Sequence, residues 1–282
     1  MKLTALVALF AAITVSSVSA AETTVTTTTT NSSSSSLASF YNTVKESPFS
    51  MAYLNDTYSQ YNIDGFTSYH YLYAHYKLNA NNRLSVIPAF KTDFKKNFEG
   101  TSERVNHTSY HSTQLRYSLS NILTTEDHGV NLSAQARYYV YSKDNAEATG
   151  SDGYGRIILS ASRSLGKNTL SLSTDSVVYN KNSSSAANTH YNKIGVGYGY
   201  QFNDIFSAST SMNWYKFDSN NSDAFTEYSY YSVGLDFATP IGLSISPYIE
   251  GVVTQAKDGR DGLASDIVRN SSVGVSFYYS WF

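Results

Sequence analysis

The feature that most constrains this chain is a period of two. Leu84, Val86, Pro88 and Phe90 interleave with Arg83, Ser85 and Lys91, and Leu132, Ala134, Ala136 and Tyr138 with Ser133, Gln135 and Arg137. Phe206, Ala208, Met212 and Trp214 alternate in the same way with Ser207, Ser209, Ser211 and Asn213. Successive side chains of a strand point to opposite faces, so each segment has one apolar and one polar face. Beyond the N-terminus no run approaches the about 18 consecutive apolar residues that a spanning helix needs. Any crossing of a membrane must therefore use strands, with every backbone group paired in a closed sheet.

Twelve such segments are expected, at 49–58, 66–78, 83–94, 107–119, 130–142, 153–165, 169–180, 190–202, 205–217, 226–238, 243–255 and 267–282. The pieces between them alternate in length. Asn79-Ala80-Asn81-Asn82, Gly166-Lys167-Asn168, Asn203-Asp204 and Thr239-Pro240 are compact and carry the Asn, Gly and Pro that tight hairpins use. The others, at 95–106, 142–153, 182–189, 218–225 and 257–265, are longer and polar. Short turns at one end and long loops at the other are the pattern of an up-and-down membrane barrel, short side toward the periplasm. The chain has no cysteine, so a hydrogen-bonded framework must hold it, and thiolate chemistry is excluded. Charged residues are only 15% of the chain against 25 tyrosines, too little charge and too many β-formers for a disordered protein.

Alternation does not say which face is inside. A soluble twelve-stranded barrel would enclose more room than an apolar core fills. With lipid outside and water inside, no such filling is required. Aromatics near strand ends, among them Tyr117, Tyr200, Trp214, Phe237, Tyr279 and Trp281, then become interfacial girdles. His70, His111 and Arg163 fall on the nominal lipid face and mark bulges, interfacial positions or register breaks.

The last segment carries a resemblance. From Asp266 the sequence reads DIVRNSSVGVSFYYSWF, with Val273, Val275, Phe277, Tyr279 and Trp281 on one face and Phe282 at the end. It resembles the closing strand of bacterial outer-membrane β-barrel proteins of the porin-like kind. The resemblance implies an all-β, transmembrane antiparallel up-and-down β-barrel in the bacterial outer membrane, with membrane lipid and the barrel-assembly machinery, through Phe282, as partners. Phe282 departs from the pattern by lying one place out of step with Trp281.

Residues 1–20 read as a signal peptide: Lys2, an apolar run from Leu3 to Val15, and Val18-Ser19-Ala20 before the cut. Residues 21–47 form a Ser/Thr-rich tether. Within it Leu37, Phe40, Tyr41 and Val44 stand at helical spacing, which allows a short helix that leads into the barrel or plugs it. The barrel is assigned 48–282.

Functional expectations rest on the polar face. It carries Lys77, Arg83, Lys91 and Arg116, then Arg137, Arg156 and Lys193, with Arg269 near the mouth; Asp93, Asp175, Asp236 and Glu250 oppose them. Local basic excess favours anionic solutes, whereas cross-lumen pairing would only keep the bore wet. Tyrosines join them in the long-loop half: Tyr69, Tyr71 and Tyr73, then Tyr139, Tyr141 and Tyr179, then Tyr215, Tyr228 and Tyr230. Such rings form either a track for sugars or aromatic solutes or a mouth lining. No zinc-protease or phosphate-loop pattern occurs, and His70 and His111 lack the sequence context of an outer-membrane phospholipase. Glu126-Asp127-His128 sits in a short turn as a solvated cluster. A net charge of −2 offers no basic field for nucleic acid. The expectation is a non-enzymatic porin-like channel for small hydrophilic solutes, with no cofactor and with an anion or carbohydrate preference as the finer reading. The competing expectation is a non-conducting surface protein with a plugged lumen.

Overall fold

A computed structural model describes residues 47–60, 65–95, 105–181, 188–219, 227–257, 260–263 and 271–281. All twelve expected strands are present: β1 (Phe49–Gln60), β2 (Gly65–Lys77), β3 (Asn82–Lys95), β4 (Val105–Leu123), β5 (Asn131–Tyr141) and β6 (Ser151–Leu165). They continue as β7 (Asn168–Lys181), β8 (Asn188–Gln201), β9 (Phe206–Ser219), β10 (Glu227–Ala238), β11 (Leu243–Lys257) and β13 (Ser271–Trp281). A short β12 (Arg260–Leu263) folds back on the end of β11. Every neighbouring pair is antiparallel and follows chain order, and β1 closes on β13 from Met51↔Trp281 to Gln60↔Ser272. The architecture is a closed twelve-stranded up-and-down barrel, in which each of the twelve long strands is paired on both sides.

Turn chemistry sets the short end. Asn79 Oδ1 accepts from the Asn81 and Asn82 amides at 2.9 Å, and Asn203 Oδ1 does the same for Ile205 and Phe206. Each is a side chain mimicking a backbone turn. Two stretches expected as loops contain helices. α1 (Thr125–His128) closes the β4–β5 turn, capped by Thr124. α2 (Lys143–Thr149) follows β5, with the Ser142 hydroxyl accepting from the Asn145 amide at 3.2 Å and Gly150 at φ 68° ending it. Ser142 and Thr124 are preferred N-cap residues and Gly supplies the left-handed stop, so both helices are legible once caps are sought.

The register fixes the faces. Ile157, Leu172, Val196, Val233 and Val273 are all outward and between 43% and 61% exposed, an apolar band that hydrocarbon would cover. Aromatic pairs rim it: Phe66 stacks on Phe94 at 4.3 Å toward the long loops, and Phe49 meets Tyr76 at 4.8 Å toward the short turns. Rim hydroxyls bond to turn residues, with Tyr198 donating to Asn168 at 2.6 Å. Arg163 is outward and exposed two residues from the end of β6, at the polar edge of the band. His111 is a correction to the face assignment. Phe90 pairs with Tyr110 and Ala89 with Ser112, so His111 is the extra residue of a bulge and turns inward, its ring 5.2 Å from Tyr69. The segment 37–47, Arg269 and Phe282 lie outside the described residues, except that Ser47 is described.

The band makes a direct prediction. Val196→Arg should lower the unfolding free energy in phospholipid vesicles by about 2–4 kcal/mol, while Leu165→Arg at the rim should cost about 0–1 kcal/mol. Denaturant titration of the refolded protein checks both; equal, near-zero effects would place water rather than lipid against Val196.

Candidate functional site

The inward face carries a continuous basic ramp. Lys77 and Arg83 pair across β2 and β3 near the short turns. Deeper in, Arg116 of β4 stands opposite Arg137 of β5, and Arg137 opposite Arg156 of β6. Lys193 continues the row on β8. Each guanidinium is held differently. The Gln114 amide, with its oxygen toward Arg116, accepts from Nε at 2.6 Å and Nη2 at 2.8 Å, and Arg116 also lies over the Tyr73 ring. Arg137 donates from Nε to Gln135 at 2.9 Å and reaches the Tyr139 hydroxyl at 3.5 Å. Arg156 grips Asp175 with both ends of its fork, Nε to Oδ1 at 2.8 Å and Nη2 to Oδ2, and Lys193 approaches the same carboxylate at 3.8 Å. Asp175 and Arg156 are 1% and 3% exposed. One carboxylate thus serves two cations of a four-member row.

Of the acids expected opposite, Asp175 lies within that row, and Glu250 lies apart from it beside Asp56, which the sequence did not single out. Asp56 of β1 accepts from the Ser276 hydroxyl at 2.7 Å and the Tyr248 hydroxyl at 3.0 Å, and Glu250 of β11 is buried beside them. In strand order β1 is six places from β7, and β11 six from β5, so these carboxylates face the basic row across the bore. Tyr248 lies flat over Gly274: a Cβ there would sit 2.4 Å from the ring, which is why that wall position is glycine. Asp236 points inward at the short-turn end of β10. Lys91 and Asp93 pair with each other on β3 at 2.8 Å, so the structure does not bring them into the row.

Above the row lies an aromatic layer. Tyr139 stacks on Tyr154 at 4.1 Å, and the contacts continue through Tyr179, Tyr191 and Tyr215 to Tyr230 at 5.5–6.4 Å between neighbouring ring centroids. Tyr141, Phe217 and Tyr228 extend it, and Ala146 of α2 packs against it from the long-loop side. Tyr69 and Tyr71 form a second group with Tyr58 and Tyr248 on the acidic wall. Toward the short turns the lining changes. Ser160, Ser171, Ser173, Gly197, Ser207 and Ser209 are half-buried or exposed and line that half of the bore with small side chains. The lumen is therefore a cup of small residues below, a charged row at mid-height and a tyrosine layer above.

The sequence places on this wall Lys77, Arg83, Lys91, Arg116, Arg137, Arg156, Lys193, Asp175, Asp236 and Glu250, and the tyrosines 69, 71, 139, 215 and 230; the register turns all of them inward. It missed Asp56, Tyr58, Tyr154, Tyr191, Phe217 and Tyr248. The signal was available, since each keeps the parity of a neighbouring inward residue.

No protein-family model and no curated protein sequence matches the chain. Among solved structures it is similar to an outer membrane channel from Pseudomonas putida F1, with TM-score 0.58 and 10% identity over 83% of this chain and 96% of that one. It is also similar to the NanC porin, with TM-score 0.51 and 10% identity over 82% of this chain and 99% of that one. At such identity the likeness is one of fold, and the chain has the fold of the porin-like outer-membrane barrels.

Proposed function

We propose that this protein is a narrow outer-membrane channel for small hydrophilic solutes, with a preference for anionic ones such as acidic saccharides. The observation that carries this reading is the row Arg116, Arg137, Arg156. Like charges directly opposite one another on adjacent strands are destabilising, so three arginines in register work against the barrel's own stability. A row of guanidinium groups along one wall, with carboxylates on the far wall, sets a field across the path that draws anionic solutes to the basic side. The tyrosine layer offers flat faces and hydroxyls for sugar rings beside those sites. The fold shared with outer-membrane channels supports a passive, non-enzymatic role in the outer membrane. Outer-membrane lipid and the assembly machinery remain the proposed partners.

Reconstitution into planar bilayers tests the reading. Discrete conductance steps with anion preference are expected, and Arg116→Gln with Arg137→Gln should lower the anion-to-cation permeability ratio by about two- to threefold. An unchanged reversal potential removes the anion preference, and a sealed bilayer removes the channel. The second reading, a non-conducting surface protein, draws on the burial of the tyrosine layer under α2.

A further inference from the structure

At the short-turn end the inward face has no partner among the described residues. Lys77 of β2 and Arg83 of β3 stand in register there, both exposed, and among the described residues neither makes an ion pair. Like charges directly opposite one another destabilise a sheet, so the position calls for an acid. Ser118 of β4, opposite Arg83, is 5% exposed, and its hydroxyl has no hydrogen-bond partner. Across the bore the wall at this end is Ser171, Ser173, Ser207 and Ser209, half-buried or exposed. Tyr73 of β2 is in register with Ala52 and Tyr278 of β13 with Leu54, so two half-buried rings, 6.4 Å apart, flank β1 just above its first residue.

The chain itself arrives at this spot. β1 begins at Phe49, and the Pro48 carbonyl accepts from the Lys77 amide at 2.7 Å. Glu46 precedes Ser47, one step from the Lys77–Arg83 pair. Behind it Leu37, Phe40, Tyr41 and Val44 recur at helical spacing, with Ser39, Asn42 and Thr43 between them. We propose that residues 37–46 turn into the bore and plug the small-residue cup from the short-turn side. Glu46 supplies the acid that Lys77 and Arg83 lack, the apolar stripe lies against Tyr73 and Tyr278, and the polar side meets the serine wall. Strands about 4.8 Å apart and tilted about 40° close a barrel of this strand number at about 24 Å between opposite backbones, and serine walls of that span admit one helix about 10 Å across. Residues 37–44 as a helix are about 12 Å long, against a rise of about 18 Å along β7 from Asn168 to Asp175. The position of the segment is independent of whether the bore conducts; its effect on conduction rests on the channel proposed for it.

The absence of native cysteine allows a direct test. Full-length protein carrying Phe40→Cys with Ser209→Cys, refolded into phospholipid vesicles and treated with a short bis-maleimide, should give a cross-linked monomer of altered mobility on a denaturing gel. Phe40→Cys with Leu172→Cys, the latter outward on β7, should not. Adding Glu46→Lys to the first pair should lower the yield about threefold at matched time, the scale of a partly exposed ion pair. Retention of the heat-sensitive gel mobility of a closed barrel shows that each variant is folded, and Thr174→Val, outward on β7, should leave the yield unchanged. Equal yields for the two cysteine pairs, no product with either, or no loss on adding Glu46→Lys would each overturn the proposal. In planar bilayers the cross-linked chain should conduct less than the same chain before treatment. A sealed bilayer with the cross-link formed removes the channel and leaves the plug; conductance steps without a cross-link remove the plug alone.

Discussion

Asp175→Asn is expected to destabilise the barrel by about 3–5 kcal/mol, the scale of breaking a buried ion pair by removing one partner. Asp175 is the carboxylate that Arg156 grips at both ends and that Lys193 approaches, and its side chain is fully buried. Without it Arg156 and Lys193 both lose the carboxylate they share. Replacing both partners, Arg156→Met with Asp175→Leu, removes the desolvated charges together and should cost less than Asp175→Asn alone, a non-additivity that a double-mutant cycle measures directly. Denaturant midpoints in vesicles at constant slope read both effects. A loss below about 1 kcal/mol for Asp175→Asn would mean that lumen water screens the pair as at an open surface.

The same pair connects stability with function. Asp175 binds two of the four cations in the row and its single charge offsets one of them, whereas Gln114 and Gln135 orient Arg116 and Arg137. Glutamine can orient an arginine without cancelling its charge. That distinction explains why the selectivity experiment targets Arg116 and Arg137, and the stability experiment Asp175.

Most of the wall was legible in the sequence because the rule is local. A strand's period of two places Arg137 and Tyr139 on one face and Tyr138 on the other whatever the partner strand does. Turn residues with side-chain acceptors, Asn79 and Asn203, then located the hairpins. What stayed hidden depends on contacts across strands. His111 reads as outward by parity, and only the pairing of Phe90 with Tyr110 shows that the count slips there. His70 keeps its outward parity, but the network that satisfies it needs Tyr53 and Thr92 from neighbouring strands. The face of α2 that meets the lumen was equally out of reach, since Ala146 has meaning only beside Tyr141 and Tyr154. Asp175 could be assigned to the lumen from sequence, but not its service to two cations at once.

Removing the tyrosine layer is the second large effect. Tyr154→Ala with Tyr191→Ala should raise unitary conductance by about twofold or more if the tyrosine layer limits conduction, because these two lumen-facing rings are packed to 3% and 1% exposure and their removal vacates volume in that layer. The cup toward the short turns is lined by serine and glycine, which fill less of the bore than the tyrosines do. Tyr154 also meets Tyr139, Tyr141 and Tyr179, which gives its loss a larger effect than that of a ring at the edge of the cluster such as Tyr228. Unlike a soluble core, a lumen can admit water into the vacated space, so the destabilisation should fall below the about 3–5 kcal/mol of a dry aromatic-to-alanine change. Single-channel recording of wild type and variant in the same salt decides the matter. A closed wild type with a conducting variant would favour the plugged surface protein, whereas equal conductance in both would place the constriction in the arginine row below.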